Sequence, residues 1–199
     1  MQQNAGVMIL AGGKSERMIF PKPYLLYNGK TFLENISEGY FLAGLKNICL
    51  VIREEYCQGK WNYSFQEVVP YISHIEKINS DKTRFYSIKT GIKHFTDVDF
   101  CFVHNVDNPF IDYLTIQLLW QNRNADGYTK AVYHHEGGHP LLISRKIIER
   151  INSLDEGDYN LKTFLKEYPC KETEVSNKDV LLNINTPEEY EKHIQSLEK

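Results

Sequence analysis

Val7-Met8-Ile9-Leu10-Ala11-Gly12-Gly13-Lys14-Ser15-Glu16-Arg17-Met18, followed by Pro21-Lys22, is the stretch on which the reading of the whole chain turns. A short apolar run ending in paired glycines predicts a buried strand giving way to a loop whose backbone can approach a ligand with no Cβ in between. Lys14, Arg17 and Lys22 place three cations beside those exposed amides. Backbone N–H groups, ammonium and guanidinium all donate to phosphate oxygens, so the combination suits a polyphosphate. A tight turn carrying only solvated charges is the alternative for a Gly-Gly pair taken alone. The elements that follow favour the first reading.

Beyond the loop, Thr31-Phe32-Leu33-Glu34 has the form of a capping box and predicts an amphipathic helix that fades near Gly44. Residues 47–52 read as a second strand. Between 53 and 74 the pattern is weak, and 67–72 is read as a short strand that Pro70 confines to an edge. Residues 81–95 predict a helix with Phe85, Ile88 and Ile92 on one face and Ser87 and Gly91 one turn apart. A strand at 100–104 is followed at once by Asn105-Val106-Asp107-Asn108-Pro109. A carboxylate just past the carboxyl end of a strand lies where open α/β folds bind ligands.

Further on, 112–122 reads as a helix and 127–132 as a strand. Gly137-Gly138-His139-Pro140 is read as a break before the apolar 141–143, with Ser144 capping a helix through 151. A helical pattern at 160–167 precedes a strand at 180–182. Asn183-Ile184-Asn185-Thr186-Pro187-Glu188-Glu189-Tyr190 then predicts a helix with Thr186 as N-cap, Pro187 in the first helical position and Glu189 as capping acid. Strands alternating with helical segments predict an α/β sheet built from parallel crossover units. With no internal repeat or low-complexity linker in view, one continuous domain over residues 1–199 is expected.

Across 199 residues the formal net charge is −3, which gives no general reason to expect nucleic acid or an anionic membrane as partner, so any basic site is local. Cys49, Cys57, Cys101 and Cys170 lack C-x-x-C spacing and are read as free thiols rather than a zinc site or a disulfide framework. No basic leader precedes a long apolar segment, and no run is long enough to span a bilayer. A cytoplasmic protein, monomeric or weakly dimeric, is the expectation.

If the first loop holds a nucleoside triphosphate, its charge needs neutralising before a second anion approaches. Mg²⁺ takes oxygen ligands, usually one or two carboxylates plus phosphate oxygens, and Asp107 is the best-placed candidate. An Asp before Asn-Pro also commonly starts a turn, and the glycine loop tips the balance toward function. No G-x-x-x-x-G-K-[ST] is present and the third glycine of the dinucleotide fingerprint is missing, which weakens kinase and dehydrogenase readings. The chain has no G-x-S-x-G to support covalent acyl chemistry. His134 and His135, read as extended, would point to opposite faces and so not share a metal ion. His139, before a proline, is read as a rigid loop residue contacting an acceptor, or as part of a capped turn. The many Tyr and Phe residues fit strand and helix cores rather than a base-stacking platform.

Together, L-A-G-G-K-S-E-R-M at 10–18 with Pro21-Lys22, Asp107 with Pro109, Gly138-His139-Pro140 and N-I-N-T-P-E-E-Y at 183–190 resemble the molybdenum cofactor guanylyl- and cytidylyltransferases. The resemblance runs nearly end to end. It implies a Rossmann-like three-layer sandwich, a mostly parallel sheet flanked by helices of the nucleotide-diphospho-sugar transferase type. It also implies an enzyme that transfers CMP or GMP from CTP or GTP to a small phosphorylated acceptor, molybdopterin first, and releases pyrophosphate. By the same resemblance Leu10, Ala11, Gly12, Gly13, Lys14 and Ser15 face the nucleotide, while Arg17 and Lys22 stabilise the triphosphate and the leaving pyrophosphate. Asp107 binds Mg²⁺, Asn185 sits where relatives place a second metal ligand, Ser87 and Gly91 lie near the nucleoside, and His139 contacts the acceptor.

Asn183 and Asn185 stand where many relatives carry Asp, and Ile19 where they usually have Gly. L-A-G-G resembles the guanylyltransferases, whereas Gly138-His139-Pro140 and Gly157-Asp158 resemble the cytidylyltransferases. Pro21 to Leu25, Thr83 to Ile88 and Val103-His104-Asn105 resemble the methylerythritol-phosphate cytidylyltransferases, whose acidic and basic signature is replaced here by Asn105 and Asn108. The rival from another class is a nucleotide-binding domain that has kept the fold and lost the chemistry. An interaction scaffold is weaker, because it leaves the three loop cations without a purpose.

Overall fold

The structure is a computed structural model and describes residues 4–79, 83–155, 157 and 159–193. Strand β1 (Ala5–Ala11) is buried along its whole length. It is followed by a small hairpin, β2 (Leu26–Tyr27) with β3 (Lys30–Thr31), then helix α1 (Phe32–Leu42) and β4 (Ile48–Arg53). Next come α2 (Asn62–Val68), β5 (His74–Ile78), α3 (Arg84–Ile92), β6 (Phe100–Asn105) and α4 (Tyr113–Gln121). The chain continues through β7 (Tyr128–Tyr133), β8 (Glu136–Ser144), α5 (Arg145–Ser153), α6 (Leu161–Leu165), β9 (Cys170–Glu174) and α7 (Pro187–His193).

Seven of these strands form one sheet in the order β5-β4-β1-β6-β8-β7-β9. β1 pairs in parallel with both β4 and β6, while β8 runs antiparallel to its neighbours β6 and β7. Side chains alternate across a strand, so one apolar run supplies two cores. Val7, Ile9 and Ala11 pack with Leu50, Phe102 and α1 on one face; Met8 and Leu10 pack with Val51, Val103 and α3 on the other. The result is the expected three-layer sandwich with a mostly parallel sheet.

The capping boxes are local and form as read. Thr31 Oγ1 accepts from Glu34 N at 3.1 Å while Glu34 Oε2 accepts from Thr31 N at 2.7 Å. At α7, Glu189 N donates to Thr186 Oγ1 (3.3 Å) and Thr186 N to Glu189 Oε2 (3.1 Å). Ser144 stands at the N-cap of α5, but its hydroxyl makes no capping bond.

Four expectations are corrected. Residues 67–72 are not a strand: α2 ends there in a 3-10 turn (Val69–Tyr71), where Pro70 loses no needed N–H, and the edge strand is β5 instead. Gly137-Gly138-His139-Pro140 does not break the chain; β8 runs straight through it. Gly138 is needed because a Cβ there would stand 2.4 Å from the Val180 carbonyl oxygen, where another segment crosses the strand. Residues 180–182 fall in and just after a 3-10 turn (Lys178–Leu181), with Val180 buried but unpaired in any ladder. His134 and His135 are not extended: with φ of 48° and 69° they form the two-residue turn of the β7–β8 hairpin, whose twist calls for positive φ.

β9 carried no apolar period, since only Thr173 of its five residues is buried. The first residues of the helix expected at 81–95, and Asp158 of the Gly157-Asp158 element, lie outside the described residues. Cys49, Cys57 and Cys101 are buried free thiols, as expected, whereas Cys170 is free but exposed. Among the described residues no helix is long and apolar enough to cross a membrane.

Candidate functional site

β1 and β6 end side by side, with Leu10 paired to Asn105, and the chain turns away from both strands at the same edge. That edge holds a cleft of about 230 Å³ lined by Leu10, Gly12, Gly13, Ser15, Lys22 and, from other elements, Arg84, Ser87, Asn105, Val106 and Asp107. Lys14, Arg17 and Asn185 line an adjoining recess that Ser15 and Lys22 share. The loop from the first strand, the turn after β6, the start of α3 and the segment before α7 thus meet in one place.

Lys22 is the centre of this arrangement. Its Nζ donates to Asn185 Oδ1 at 2.7 Å and stands 4.0 Å from Asp107 Oδ2. Burial holds the Lys22 ammonium below its ordinary pKa of 10.5; Arg17 adds to that, while Asp107 and Glu189 oppose it. Asn185 is fixed by the α7 capping box, since its own N–H donates to Glu189 Oε2 at 2.6 Å. A local sequence signal therefore positions a group 163 residues from its partner.

Asp107 sits in a turn closed by Asn108 N donating to Asn105 O, and its carbonyl accepts from Ile184 N at 2.7 Å. Its Oδ1 is buried with no hydrogen-bond partner. A hard anionic oxygen left unpaired beside a cleft fits a divalent ion of the Mg²⁺ type. Asn185 adds a neutral oxygen that Lys22 already engages, so the donor set is one carboxylate with weaker support.

The glycine loop is braced from outside. Tyr56 Oη donates to Lys14 O at 2.9 Å, and Lys22 N donates to Ser15 Oγ at 3.1 Å. Ser15 (φ 56°) and Ile19 (φ 62°) both lie in the left-handed region, and Ile19 is 94% exposed. For a β-branched residue that conformation costs about 1–2 kcal/mol, and glycine's extra unfolded freedom returns only about 0.5–1 kcal/mol of it. Ile19→Gly is therefore expected to raise the melting temperature by roughly 1–4 °C, given a gain of about 1 kcal/mol or less. A lower melting temperature in a thermal denaturation scan would refute the strain.

Gly91 is not brought to the cleft. Ser87 lines it, but Gly91 lies a helical turn deeper, where a Cβ would stand 2.6 Å from Val51 Cγ2 and 2.8 Å from Met8 Sδ. Its smallness serves the packing of α3 on the sheet. Ala11 is buried in the strand and only its backbone reaches the loop. His139 joins the site through Asn105, whose Nδ2 donates to its Nε2 at 3.3 Å, leaving Nδ1 buried without a partner. Burial, with the nearby Arg84 charge, holds His139 down to about 4, so it is neutral near pH 7.

Arg84 and Asn105 line the cleft without having been singled out as site residues. Arg84 faces Asp107 electrostatically and remains a cation at any ordinary pH. Its signal was its place three residues before Ser87, on the same face of α3.

An open α/β sheet with cations, glycine amides and a carboxylate gathered at the carboxyl ends of two parallel strands is a nucleotide-binding architecture of the Rossmann-like class. The MobA-like NTP transferase domain family matches residues 7–173, and the chain belongs to that family. It is 26% identical to a probable molybdenum cofactor guanylyltransferase of Flavobacterium johnsoniae, over 91% of this chain and 92% of that one. It is also 28% identical to 2-C-methyl-D-erythritol 4-phosphate cytidylyltransferase of Thermosipho africanus, over 61% of this chain but only 55% of that enzyme's length. In fold it resembles Rv0371c of Mycobacterium tuberculosis H37Rv, with TM-score 0.78 at 19% identity over 97% of this chain and 98% of that one. The same protein solved in complex with manganese gives TM-score 0.77 at 18% identity, over 98% and 100% of the two chains.

Proposed function

We propose that this chain, acting as one domain, transfers CMP or GMP from the corresponding triphosphate to a phosphate-bearing acceptor, most specifically molybdopterin. An acceptor phosphate oxygen attacks the α-phosphorus, the bond to the β-phosphate breaks, and pyrophosphate leaves. No protein nucleophile takes part; the chain aligns two anions and shields the charge that develops between them. The backbone from Leu10 to Gly13 faces the base and phosphates, with Lys14, Ser15 and Ser87 beside it. Arg17 and Lys22 donate to the triphosphate and then to the departing pyrophosphate. Asp107, supported by the Asn185 oxygen, would hold Mg²⁺, which when bound neutralises phosphate charge. Arg84 and the neutral His139 face the side from which the acceptor approaches.

The observation that carries this reading is the meeting of Lys22, Asp107 and Asn185, three residues from distant parts of the chain, beside the glycine loop. The molybdopterin assignment is supported by the near full-length match to the Flavobacterium relative. It is supported also by Asn108, which replaces the basic residue of the methylerythritol-phosphate signature and spends its side chain on the carbonyls of Asp179 and Leu182. The test is pyrophosphate release with each of the four NTPs and a molybdopterin or sugar-phosphate acceptor. Turnover with CTP or GTP and molybdopterin is expected. Silence with every pair from a folded sample would overturn the enzyme, and stabilisation by nucleotide without turnover would identify a binder instead.

Gly12→Ala probes the nucleotide side of the cleft. The added methyl would stand 2.5 Å from Ile78 Cδ1 and 3.1 Å from Ser87 Oγ. Ile78 can turn its terminal methyl away, so a loss of about 1 kcal/mol in stability is expected. The methyl group intrudes where the nucleotide backbone contacts lie, and the KM for nucleotide is expected to rise by about tenfold with a smaller change in kcat. Steady-state kinetics showing an unchanged KM would remove Gly12 from the binding surface.

A further inference from the structure

His104 is fully buried and takes no part in the chemistry above, yet both its ring nitrogens are engaged. Nε2 lies 2.7 Å from the Asn108 carbonyl oxygen and Nδ1 lies 2.9 Å from Tyr40 Oη. A carbonyl only accepts, so Nε2 carries the hydrogen, and Nδ1 accepts from the tyrosine hydroxyl. Asn108 continues the chain on its far side. Its Nδ2 donates to Asp179 O at 3.0 Å and to Leu182 O at 2.5 Å, on the segment that leads into Asn185. The neighbouring backbone adds a parallel tie, Ile184 N to Asp107 O at 2.7 Å.

We propose that Tyr40, His104 and Asn108 act as a positioning strut that sets the distance between the Asp107 carboxylate and the Asn185 amide. One end is anchored in α1, beneath the sheet; the other grips the 179–184 segment; the turn bearing Asp107 lies between them. The two oxygens flank Lys22 and make no hydrogen bond to each other, so their spacing depends on what joins the turn of Asp107 to the segment of Asn185. Removing a link leaves each residue present but lets the pair drift. Such supporting partners of ligand groups typically matter by about 10–100-fold. The inference rests on the nucleotidyltransferase reading, with Asp107 and Asn185 as the oxygens that face the cation.

The test is nucleotide affinity by calorimetry, with and without Mn²⁺, for the wild-type chain and the variants His104→Leu, His104→Gln and Tyr40→Phe, each checked by thermal melting. In His104→Leu the Mn²⁺-dependent gain in affinity is expected to fall by about tenfold or more, with metal-free affinity within about twofold of wild type. His104→Gln, whose amide can still donate to the Asn108 carbonyl, is expected to recover most of the gain. Tyr40→Phe deletes one hydroxyl, keeps the ring packing, and shifts the affinity the same way should His104→Leu not fold. Equal losses with and without Mn²⁺, or an undiminished gain in folded variants, would overturn the strut. No Mn²⁺-dependent gain in the wild-type chain would overturn the cation reading itself, a failure visible before any variant is made.

Discussion

Asp107→Ala is expected to lower turnover by about a thousandfold or more, while the protein melts within about 3 °C of the wild type. Two opposed effects keep the melting temperature close: the charge that supports the Lys22 ammonium 4.0 Å away is lost, and an unpaired oxygen is relieved. Asp107 Oδ1 is buried without a hydrogen-bond partner, and such a group costs about 1–3 kcal/mol in the folded state. The fold tolerates it because the backbone of the same turn is tied down at Ile184 and Asn105 whatever side chain it carries. In the proposed reaction the charge of this carboxylate, kept at a loss to stability, would act on the phosphates and their cation. Pyrophosphate release at saturating nucleotide, paired with a melting curve, checks both halves. Unchanged turnover would remove Asp107 from the chemistry, and a large drop in melting temperature would reassign it to structure.

Lys22→Met is expected to lower kcat/KM by about a hundredfold to a thousandfold, since it removes the donor nearest both Asp107 and Asn185. The pH dependence gives a second handle. Burial holds the Lys22 pKa below 10.5, and the protonated form is the one that binds phosphate, so the alkaline fall in wild-type kcat/KM should begin below that value. Stability runs the other way. With the folded pKa below the unfolded one, the unfolded chain binds more protons between the two values, and this group's contribution to stability rises with pH across that window. Below it, the buried charge weighs against folding, and Lys22→Met relieves the burden near neutral pH. A variant more stable and nearly inactive is the expected outcome from paired melting and rate measurements. A variant with wild-type kcat/KM would show that Arg17 and the loop amides suffice.

How far the sequence reached differs from one part of the molecule to another. β1 and its loop, both capping boxes and the two-faced burial of the central strands are set by residues within a few positions of one another, so pattern alone specifies them. The edge strands did not announce themselves: β9 buries a single residue, and β5 follows a helical stretch whose apolar residues mimic a strand. The Gly137–Pro140 segment looked like a break because its glycines signal flexibility. In the fold Gly138 admits a crossing backbone within reach of a Cβ, and nothing local encodes that approach.

The cleft divides in the same way. The residue types that can bind a triphosphate and a cation were determined by the sequence alone, because glycine amides, lysine, arginine and aspartate carry that chemistry wherever they lie. Which of them act together was decided by tertiary structure. Lys22 finds Asn185 across 163 positions, Tyr40 finds His104 across 64 and Asn108 reaches Leu182 across 74. Hydrogen bonds form over a few ångströms of space, and distance along a chain becomes distance in space only when the sheet order and crossovers bring strand ends to one edge.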